Sequence, residues 1–286
     1  MTRPAYLTEA AIAQFIHSAL AEDVGKGDPS TLATVPIDKV AKAKLLVKED
    51  GILAGVELAK MIFRCVDPSL KLEVFKNDGD AVARGDIAFE ISGKARAILT
   101  TERLVLNCMQ RMSGIATKTV QLTKLIAGTT TQLMDTRKTT PNFRLMEKWA
   151  VAIGGGKNHR FALYDMIMLK DNHIDVAGGI TQAVAYAVNY LKENDQHLLI
   201  EVETRNLGEV KDALDTGAVD VIMLDNMSLD LMKEAVQMID GKCKTEASGG
   251  ITEATLRPVA ECGVDYISMG ALTHSVKSLD LSLKIF

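Results

Sequence analysis

The chain has 286 residues and carries 33 Lys and Arg against 37 Asp and Glu, a formal net charge of −4 at pH 7. This balance, with 47% hydrophobic residues, is typical of a soluble globular protein and does not favour a nucleic-acid surface. No apolar run approaches the roughly 20 residues that span a bilayer, and residues 1–9 lack the apolar core of a secretory signal. Because the four cysteines show no C-x-x-C spacing, we expect reduced thiols and a cytoplasmic protein.

The first part of the chain has the mixed pattern of a small α+β domain, which we place at residues 1–115. Apolar residues at helical spacing predict a helix over residues 7–21, with Thr8 as its N-cap. Short β-like runs separated by turn signals follow, and two further helical segments accompany them. The expected strands cover residues 43–47, 52–54, 70–75 and 87–92, and the helices cover residues 58–63 and 95–112.

The sequence pattern changes near residue 130, where short strand-like runs each end in a polar residue or a glycine. The six runs cover residues 133–135, 166–170, 198–203, 221–225, 244–248 and 266–270. The last four end at intervals of about 22 residues, the length of one strand-plus-helix unit. Local signals place helices between them: Asn206, Ser228 and Thr252 as N-caps, and Gly217 and Gly263 as helix stops.

Repeated strand–helix units with apolar strands predict a parallel sheet covered by helices. We expect closure into an α/β barrel over residues 116–275, because closure would bring the charged strand endpoints together. An open doubly wound sheet is the alternative. We expect the last segment, residues 276–286, to be a helix that returns to the N-terminal domain.

Cationic residues crowd together between residues 137 and 173 of this slightly acidic chain. Only Glu147, Asp165 and Asp171 offset them there. The cations are Arg137, Lys138, Arg144, Lys148, Lys157, Arg160 and Lys170, joined by His159 and His173. A local excess of positive charge beside apolar strands predicts a pocket for a small polyanion. Lys170, at a strand end, is then either a Schiff-base nucleophile or an anion contact, and no longer simply a solvent-facing lysine.

Carboxylates follow the cationic cluster along the chain. Glu201 and Glu203 lie two apart on one strand and therefore share a face, and Asp225 ends the next strand. Such groups suit the stabilisation of a cationic transition state or the binding of Mg²⁺. We favour a functional role for Glu203 and Asp225, whereas Glu201 fits a structural ion pair with a barrel lysine equally well.

Two glycine-containing loops come after consecutive strands and before helix starts. They are Ser248-Gly249-Gly250 and Met269-Gly270-Ala271. Because glycine lets backbone N–H groups approach a phosphate at a helix N-terminus, the pair predicts a phosphate site. The run at residues 154–156 lacks the G-K-[ST] ending of a P-loop, and we expect it to be a flexible loop that places His159 and Arg160.

In this order, these motifs resemble the quinolinate phosphoribosyltransferase family over nearly the whole chain. The motifs are Asp135-Thr136-Arg137-Lys138-Thr139, residues 154–160, Lys170 to His173, Glu201-Val202-Glu203, Leu224-Asp225-Asn226 and Ser248-Gly249-Gly250. The resemblance implies an N-terminal α/β sandwich domain, an open α/β barrel of about six to seven parallel strands, and a homodimer or larger assembly. It also implies the conversion of quinolinate and phosphoribosyl pyrophosphate to nicotinate mononucleotide, pyrophosphate and carbon dioxide, with Mg²⁺ as cofactor.

The same resemblance implies roles for individual residues. Quinolinate carboxylates would be bound by Arg137, Lys138, His159, Arg160 and Lys170, and Arg103 would come from the neighbouring subunit. Glu203 and Asp225 would face the ribose and its metal. The remaining substrate-binding residues would be Thr136, Ser248, Gly249, Gly250, Met269, Gly270 and Ala271. Either Lys138 or Lys170 would supply the proton that replaces the lost carboxylate. Asn142 stands where the family has a glycine, and a left-handed turn tolerates it.

Three alternatives remain at this point. A relative of the same scaffold that is associated with molybdenum uptake would share the fold, but the full cation set favours the quinolinate enzyme. A Schiff-base aldolase would use Lys170 as its nucleophile. A non-catalytic sensor of NAD precursors would have less use for Glu203 and Asp225.

Overall fold

The structure is a computed structural model that describes residues 4–286. It contains two compact units that each draw on separate stretches of the chain. The first unit is the described part of Met1–Val120 with Lys138–Gly155 and Ala271–Phe286, and the second is Gln121–Arg137 with Gly156–Gly270. Two segments of the expected barrel, residues 138–155 and 271–275, belong to the first of these units.

The helices and the strands are each numbered in chain order. The helices are α1 (Glu9–Asp23), α2 (Pro29–Thr34), α3 (Val56–Val66), α4 (Ala95–Leu125), α5 (Arg144–Ile153), α6 (Asp171–Ala177), α7 (Ile180–Glu193), α8 (Leu207–Asp215), α9 (Leu229–Ile239), α10 (Glu253–Ala260) and α11 (Ala271–His274). The strands are β1 (Val40–Val47), β2 (Gly51–Ile52), β3 (Lys71–Val74), β4 (Ala81–Val82), β5 (Ile87–Lys94), β6 (Gln132–Met134), β7 (Ile167–Leu169), β8 (Ile200–Thr204), β9 (Val221–Asp225), β10 (Lys244–Ser248), β11 (Tyr266–Ser268) and β12 (Leu281–Ile285). Within the described residues, no helix combines the length and the apolar character that a membrane span requires.

The first unit contains an antiparallel sheet with the strand order β12-β1-β5-β3. Ala43, Leu45 and Val47 alternate along β1 and are fully buried, which gives the sheet one apolar face. The last segment of the chain pairs with β1, so its predicted return to the N-terminal domain is correct. Its predicted helix is wrong, because Leu281 and Leu283 are buried with period two, the pattern of a strand.

The second unit contains a parallel sheet with the strand order β6-β11-β10-β9-β8-β7. From β7 to β11 the order in space is the order in the chain, and β6 joins at the far side of β11. This is the strand order of an α/β barrel, and the two edge strands β6 and β7 are not paired with each other within residues 4–286. The predicted open barrel with six parallel strands is confirmed.

Local sequence signals fix the helices that cover this sheet. The side chains of Asn206 and Ser228 each accept a hydrogen bond from the backbone N–H three residues on, as predicted for N-caps. Thr252 forms a capping box with Thr255 before α10. With the helix starts fixed in this way, the chain leaves each strand through a short loop at the carboxyl end of the sheet.

Candidate active site

Most of the predicted site residues lie at the carboxyl ends of the parallel strands of the second unit. Thr136 and Arg137 follow β6, Lys170 follows β7, Glu203 is in β8, Asp225 ends β9, Ser248 ends β10, and Met269 and Gly270 follow β11. The strand register places Ser248 directly beside Asp225. The sheet therefore gathers residues from six separate stretches of sequence at one edge, where sites on such barrels form.

Asp135 fixes the segment that carries His159 and Arg160. Its side chain is fully buried, and one carboxylate oxygen accepts the backbone N–H of His159 at 2.9 Å. The other oxygen accepts from the side-chain amide of Asn158 at 2.7 Å. A parallel bridge between Met134 and Lys157 extends β6 at the same place. Sequence reasoning quoted Asp135 in a motif but gave it no role, although its position at the strand end was a usable signal.

The imidazole of His159 lies between two buried carboxylates. Its Nε2 is 3.0 Å from Glu201 Oε2 and 3.2 Å from Glu246 Oε2, and both glutamates are fully buried. Its Nδ1 accepts the backbone N–H of Arg160 at 2.6 Å. The partner of Glu201 is thus a histidine and not the lysine that the sequence suggested, and Glu246 was missed altogether.

The charge state of His159 follows from these contacts. Burial acts to lower the pKa of the ring, but the two carboxylates outweigh it and raise this pKa to about 10. Burial also raises the pKa of Glu201. A doubly protonated ring would have a proton on Nδ1 and could not accept from Arg160. The 2.6 Å contact therefore requires a lone pair on Nδ1 and leaves the ring proton on Nε2, the nitrogen that faces the two carboxylates.

Two guanidinium groups converge near this cluster. Burial lowers the pKa of Arg160, and the positive charge of Arg137 lowers it further. Arg160 is also held by a 3.1 Å hydrogen bond from its Nη1 to the carbonyl oxygen of Met166. The negative charges of Glu201 and Asp165 act in the opposite direction and raise the pKa of Arg160. This arrangement has the chemistry of a site for an acid with more than one carboxylate.

A second charge cluster surrounds Glu203. The Nζ atom of Lys170 is 3.5 Å from Glu203 Oε2, and about half of the lysine side chain is exposed. Burial raises the pKa of Glu203, the charge of Lys170 opposes this, and Asp225 and Asp171 reinforce it. Glu203 thus has one lysine and two further carboxylates in its surroundings. Carboxylate oxygens are the ligands that Mg²⁺ prefers, and such an ion would relieve their repulsion.

The glycine loop after β10 supports Asp225. Asn226 has a φ of 53° and donates from its side-chain amide to Asp225 Oδ2 at 2.6 Å. Gly249 has a φ of 91°, and a Cβ atom there would overlap the side chain of Asn226. Only glycine therefore fits position 249 beside this asparagine. The loop continues through Gly250, whose φ is 59°, to the N-cap of α10, as predicted.

Lys138 belongs to the first unit, where its backbone has a separate support. Its carbonyl oxygen accepts the hydroxyl of Thr273 at 2.8 Å. The guanidinium of Arg111 donates to the carbonyl oxygen of Thr273 and, at 2.9 Å, to that of Val276. The same guanidinium contacts the buried carboxylate of Glu147 at 2.8 Å.

Glu147 extends this network to the loop that follows Lys138. Its carboxylate accepts the backbone N–H of Thr140 at 3.0 Å and the hydroxyl of Thr140 at 2.9 Å. Arg144 donates to the hydroxyl of Thr139 at 2.9 Å. Asn142 has a φ of 61°, which confirms the left-handed turn expected there. Sequence reasoning found none of the supporting residues, because they come from three separate stretches of the chain.

The remaining predicted residues lie in the first unit. Arg103 is exposed on α4, and Ala271 is the first residue of α11. The run at residues 154–156 begins as a helix end and not as a flexible loop. Gly154 caps α5 and leaves no room for a Cβ atom, which would lie 2.6 Å from Thr119 Cβ and 2.7 Å from the carbonyl oxygen of Ala116.

Comparison with protein-family models decides the affiliation of the chain. The model described as "Quinolinate phosphoribosyl transferase, C-terminal domain" matches residues 115–284, and that of the N-terminal domain matches residues 28–113. The chain belongs to the quinolinate phosphoribosyltransferase family. The match covers both units.

Relatives and solved structures agree with this membership. The chain is 51% identical to a chloroplastic nicotinate-nucleotide pyrophosphorylase [carboxylating] of Oryza sativa, over 94% of this chain and 76% of that protein. It is 42% identical to a probable nicotinate-nucleotide pyrophosphorylase [carboxylating] of Bacillus subtilis, over 92% of this chain and 90% of that one. The crystal structure of NadC from Streptococcus pyogenes has 42% identity and a TM-score of 0.91, with 98% of both chains covered.

Proposed function

We propose that this protein transfers the phosphoribosyl group of phosphoribosyl pyrophosphate to quinolinate and decarboxylates the product to nicotinate mononucleotide. The observation that carries the proposal is the convergence of Arg137 and Arg160 at the end of a barrel whose relatives are named for this reaction. Quinolinate carries two carboxylates on adjacent ring carbons. Two neighbouring guanidinium groups suit such a dianion, because each can bind a carboxylate in a bidentate manner.

Further predicted residues would complete the quinolinate site. We assign the cationic Lys138, Lys170 and His159 and the hydroxyl of Thr136 to this role, as the sequence motifs predict. Lys170 is half-exposed and held by Glu203, which supports a lysine that reaches toward a substrate at the rim of the barrel.

The carboxylates and the glycine loops would bind the phosphoribosyl group. We assign Glu203 and Asp225 to the ribose and to Mg²⁺, which when bound would neutralise charge on the departing pyrophosphate. The loops at Ser248–Gly250 and Met269–Ala271 would donate backbone N–H groups to the 5-phosphate. The positive φ angles of Gly249 and Gly250 support this role, because they turn the backbone toward the start of α10.

The reaction then proceeds in two steps. In the first, the lone pair of the quinolinate nitrogen forms a bond to the anomeric carbon while the bond from that carbon to pyrophosphate breaks. The ribose gains positive charge in the transition state, and the carboxylates of Glu203 and Asp225 stabilise it electrostatically. In the second, the bond to the carboxylate beside the quaternary nitrogen breaks, carbon dioxide leaves, and the ring keeps the electron pair. Lys138 or Lys170 supplies the proton that takes its place.

A Schiff-base role for Lys170 has less support. A nucleophilic lysine is desolvated or lies next to another cation, which favours its neutral form. Lys170 is half-exposed and lies next to a carboxylate. Neither condition is met, and an exposed lysine at a strand end suits a contact with an anion.

We extend the proposal to the assembly. Arg103 would complete the site of a neighbouring subunit in a homodimer or larger homo-oligomer. Its exposed position on α4, where its neighbours Leu104 and Val105 are buried, supports a role outside its own unit. The cytoplasmic location stays a prediction from the sequence.

The decisive experiment is an assay with quinolinate, phosphoribosyl pyrophosphate and Mg²⁺ that follows pyrophosphate and nicotinate mononucleotide together. We expect both products in equal amounts. Release of pyrophosphate with another pyridine acid but not with quinolinate would keep the transferase class and change the substrate. An absence of turnover with every pyridine acid would contradict the proposal.

A further inference from the structure

The Glu201–His159–Glu246 cluster is the only group of three potential metal ligands that the described residues bring together. All three side chains are buried, with 8% of His159 and none of either glutamate exposed. Burial of two carboxylates costs free energy that only a charge partner or hydrogen bonds can offset. Sequence reasoning gave Glu246 no role.

A metal ion is one occupant that such a cluster could have, but the second ring nitrogen argues against it. A histidine that binds a metal through Nε2 keeps a proton on Nδ1 and donates it to an acceptor. Here Nδ1 faces a donor, the backbone N–H of Arg160, at 2.6 Å. The ring proton must then be on Nε2, where it faces Glu201 and Glu246. The cluster is therefore a pair of buried carboxylates at 3.0 and 3.2 Å from the ring nitrogen that carries the proton.

The consequence concerns Arg160. Both nitrogens of His159 are engaged, one by the carboxylate pair and one by the backbone N–H of the next residue. The backbone of His159 is separately fixed by Asp135, and the guanidinium of Arg160 by the carbonyl oxygen of Met166. Rotation of the imidazole would remove the backbone anchor of Arg160, and the carboxylate pair is what opposes that rotation.

We propose that Glu246, together with Glu201, is a positioning residue for substrate binding that orients His159 and through it holds Arg160 in place for a substrate carboxylate. In this arrangement His159 also anchors the backbone of Arg160, in addition to its predicted place in the quinolinate site. The inference rests on the proposed function for its choice of substrate. It assigns Glu246 no contact with substrate.

The test compares three variants of the full-length protein. E246M removes both acceptor oxygens at nearly constant shape, E246Q keeps one acceptor, and T245V changes the preceding residue of β10. Thr245 is also buried, but its side chain lies on the opposite face of the strand and bonds to Asp265 at 3.0 Å. T245V therefore measures the effect of losing a buried polar group on the same strand, while the three residues of the cluster stay unchanged.

Two measurements distinguish a positioning role of Glu246 from a contribution to the stability of the fold alone. We expect E246M to raise KM for quinolinate about tenfold or more, since a misplaced binding group weakens binding, while KM for phosphoribosyl pyrophosphate changes less than about twofold. E246Q is expected to fall between E246M and the wild type. Nitrogen-15 NMR of the imidazole should show the Nε2–H tautomer of His159 in the wild type and T245V, and a mixture of tautomers in E246M.

Other results would contradict the proposed role of Glu246. Equal KM values for quinolinate in E246M and the wild type, with the tautomer unchanged, would overturn the inference. So would a rise of both KM values that T245V reproduces, since that would be a loss of stability alone. If E246M does not fold, E246Q and T245V are compared in its place. If the wild type does not turn over quinolinate, the proposed function fails, and the tautomer in E246M still decides whether Glu246 orients the ring.

Discussion

The hydroxyl of Thr273 donates a hydrogen bond to the carbonyl oxygen of Lys138 at a distance of 2.8 Å. Thr273 is fully buried, and its own carbonyl oxygen accepts from Arg111. A residue near the end of the chain thus fixes the backbone of a candidate catalytic lysine in the first unit. Because Lys138 has a long and mobile side chain, the position of its backbone determines where its ammonium group can act.

Replacing Thr273 by valine should therefore reduce turnover more than stability. Loss of one buried hydrogen bond costs about 1 kcal/mol of unfolding free energy, whereas a displaced catalytic group lowers kcat by about tenfold or more. T101V is the matched control, because Thr101 is also fully buried and its hydroxyl bonds only to Ala97 and Ile98 of its own helix. Urea unfolding and steady-state kinetics check the prediction. A kcat that falls equally in both variants would contradict it.

The pair of Arg111 and Glu147 anchors the same network, and its loss should be costly. Glu147 is fully buried, and Arg111 is its nearest cation at 2.8 Å. R111M would leave a buried carboxylate without its charge partner, at a cost of about 3–5 kcal/mol of unfolding free energy. K211A, which breaks the exposed pair of Lys211 and Asp215, should cost less than about 1 kcal/mol. Denaturant titration of the two variants measures both values, and a similar cost would show that Glu147 is not dependent on Arg111.

Features that depend on neighbouring residues were predictable from the sequence. The strands of the barrel, the N-caps Asn206 and Ser228, and the left-handed turn at Asn142 are set by local periodicity and side-chain chemistry. The collection of polar residues at the strand ends followed from the fold class, since parallel strands of one sheet end on one side.

Features that depend on distant partners were not predictable. The strand β12 exists because β1 offers an edge to pair with, and a five-residue apolar segment alone does not distinguish a helix from a strand. Glu246 and His159 lie on different strand–loop units, and no local pattern connects them. The same holds for Thr273 and Lys138. Sequence reasoning proposed residues for substrate contact but missed the buried residues that hold them.

The Gly249 position predicts a specific steric effect. G249A would place a methyl group against the side chain of Asn226, which donates to Asp225 at 2.6 Å. We expect G249A to move Asn226 and to lower kcat by about tenfold or more, because Asp225 loses its hydrogen bond partner. Gly263 has a φ of 88° and open space around it, with the nearest atom 3.7 Å from an added Cβ. G263A therefore reproduces the backbone strain, about 1 kcal/mol, without the clash.

Comparison of kcat and melting temperature for the two glycine variants checks this prediction. G263A should lose stability and keep the wild-type kcat. If G249A also keeps the wild-type kcat, then Asn226 does not support Asp225 in the working enzyme.

The neighbouring guanidinium groups of Arg137 and Arg160 predict the effect of removing one of them. R137A should abolish the binding of quinolinate, because a bidentate partner of one carboxylate is lost. R205A is the control, since Arg205 is exposed and pairs with Asp175 and Glu209. Isothermal titration calorimetry measures the affinity of each variant for quinolinate. A wild-type affinity in R137A would show that Arg137 does not bind the substrate.

Asp265 predicts how acid affects the second unit. Burial acts to raise the pKa of Asp265, but hydrogen bonds from Lys244 and from the N–H and hydroxyl of Thr245 outweigh it, so this pKa lies below its ordinary value of 3.8. The folded state therefore binds fewer protons than the unfolded state. The charged carboxylate of Asp265 therefore stabilises the fold fully above its ordinary pKa, and this stabilisation is lost as the pH falls through the lowered pKa of the folded state.

D265N should be less stable than the wild type at about pH 7, and the difference should shrink toward zero at about pH 2. Urea unfolding at a series of pH values measures this difference, with D215N at the exposed Lys211–Asp215 pair as the control. A difference between D265N and the wild type that stays constant down to the lowest pH would show that the carboxylate charge of Asp265 is not what stabilises the fold.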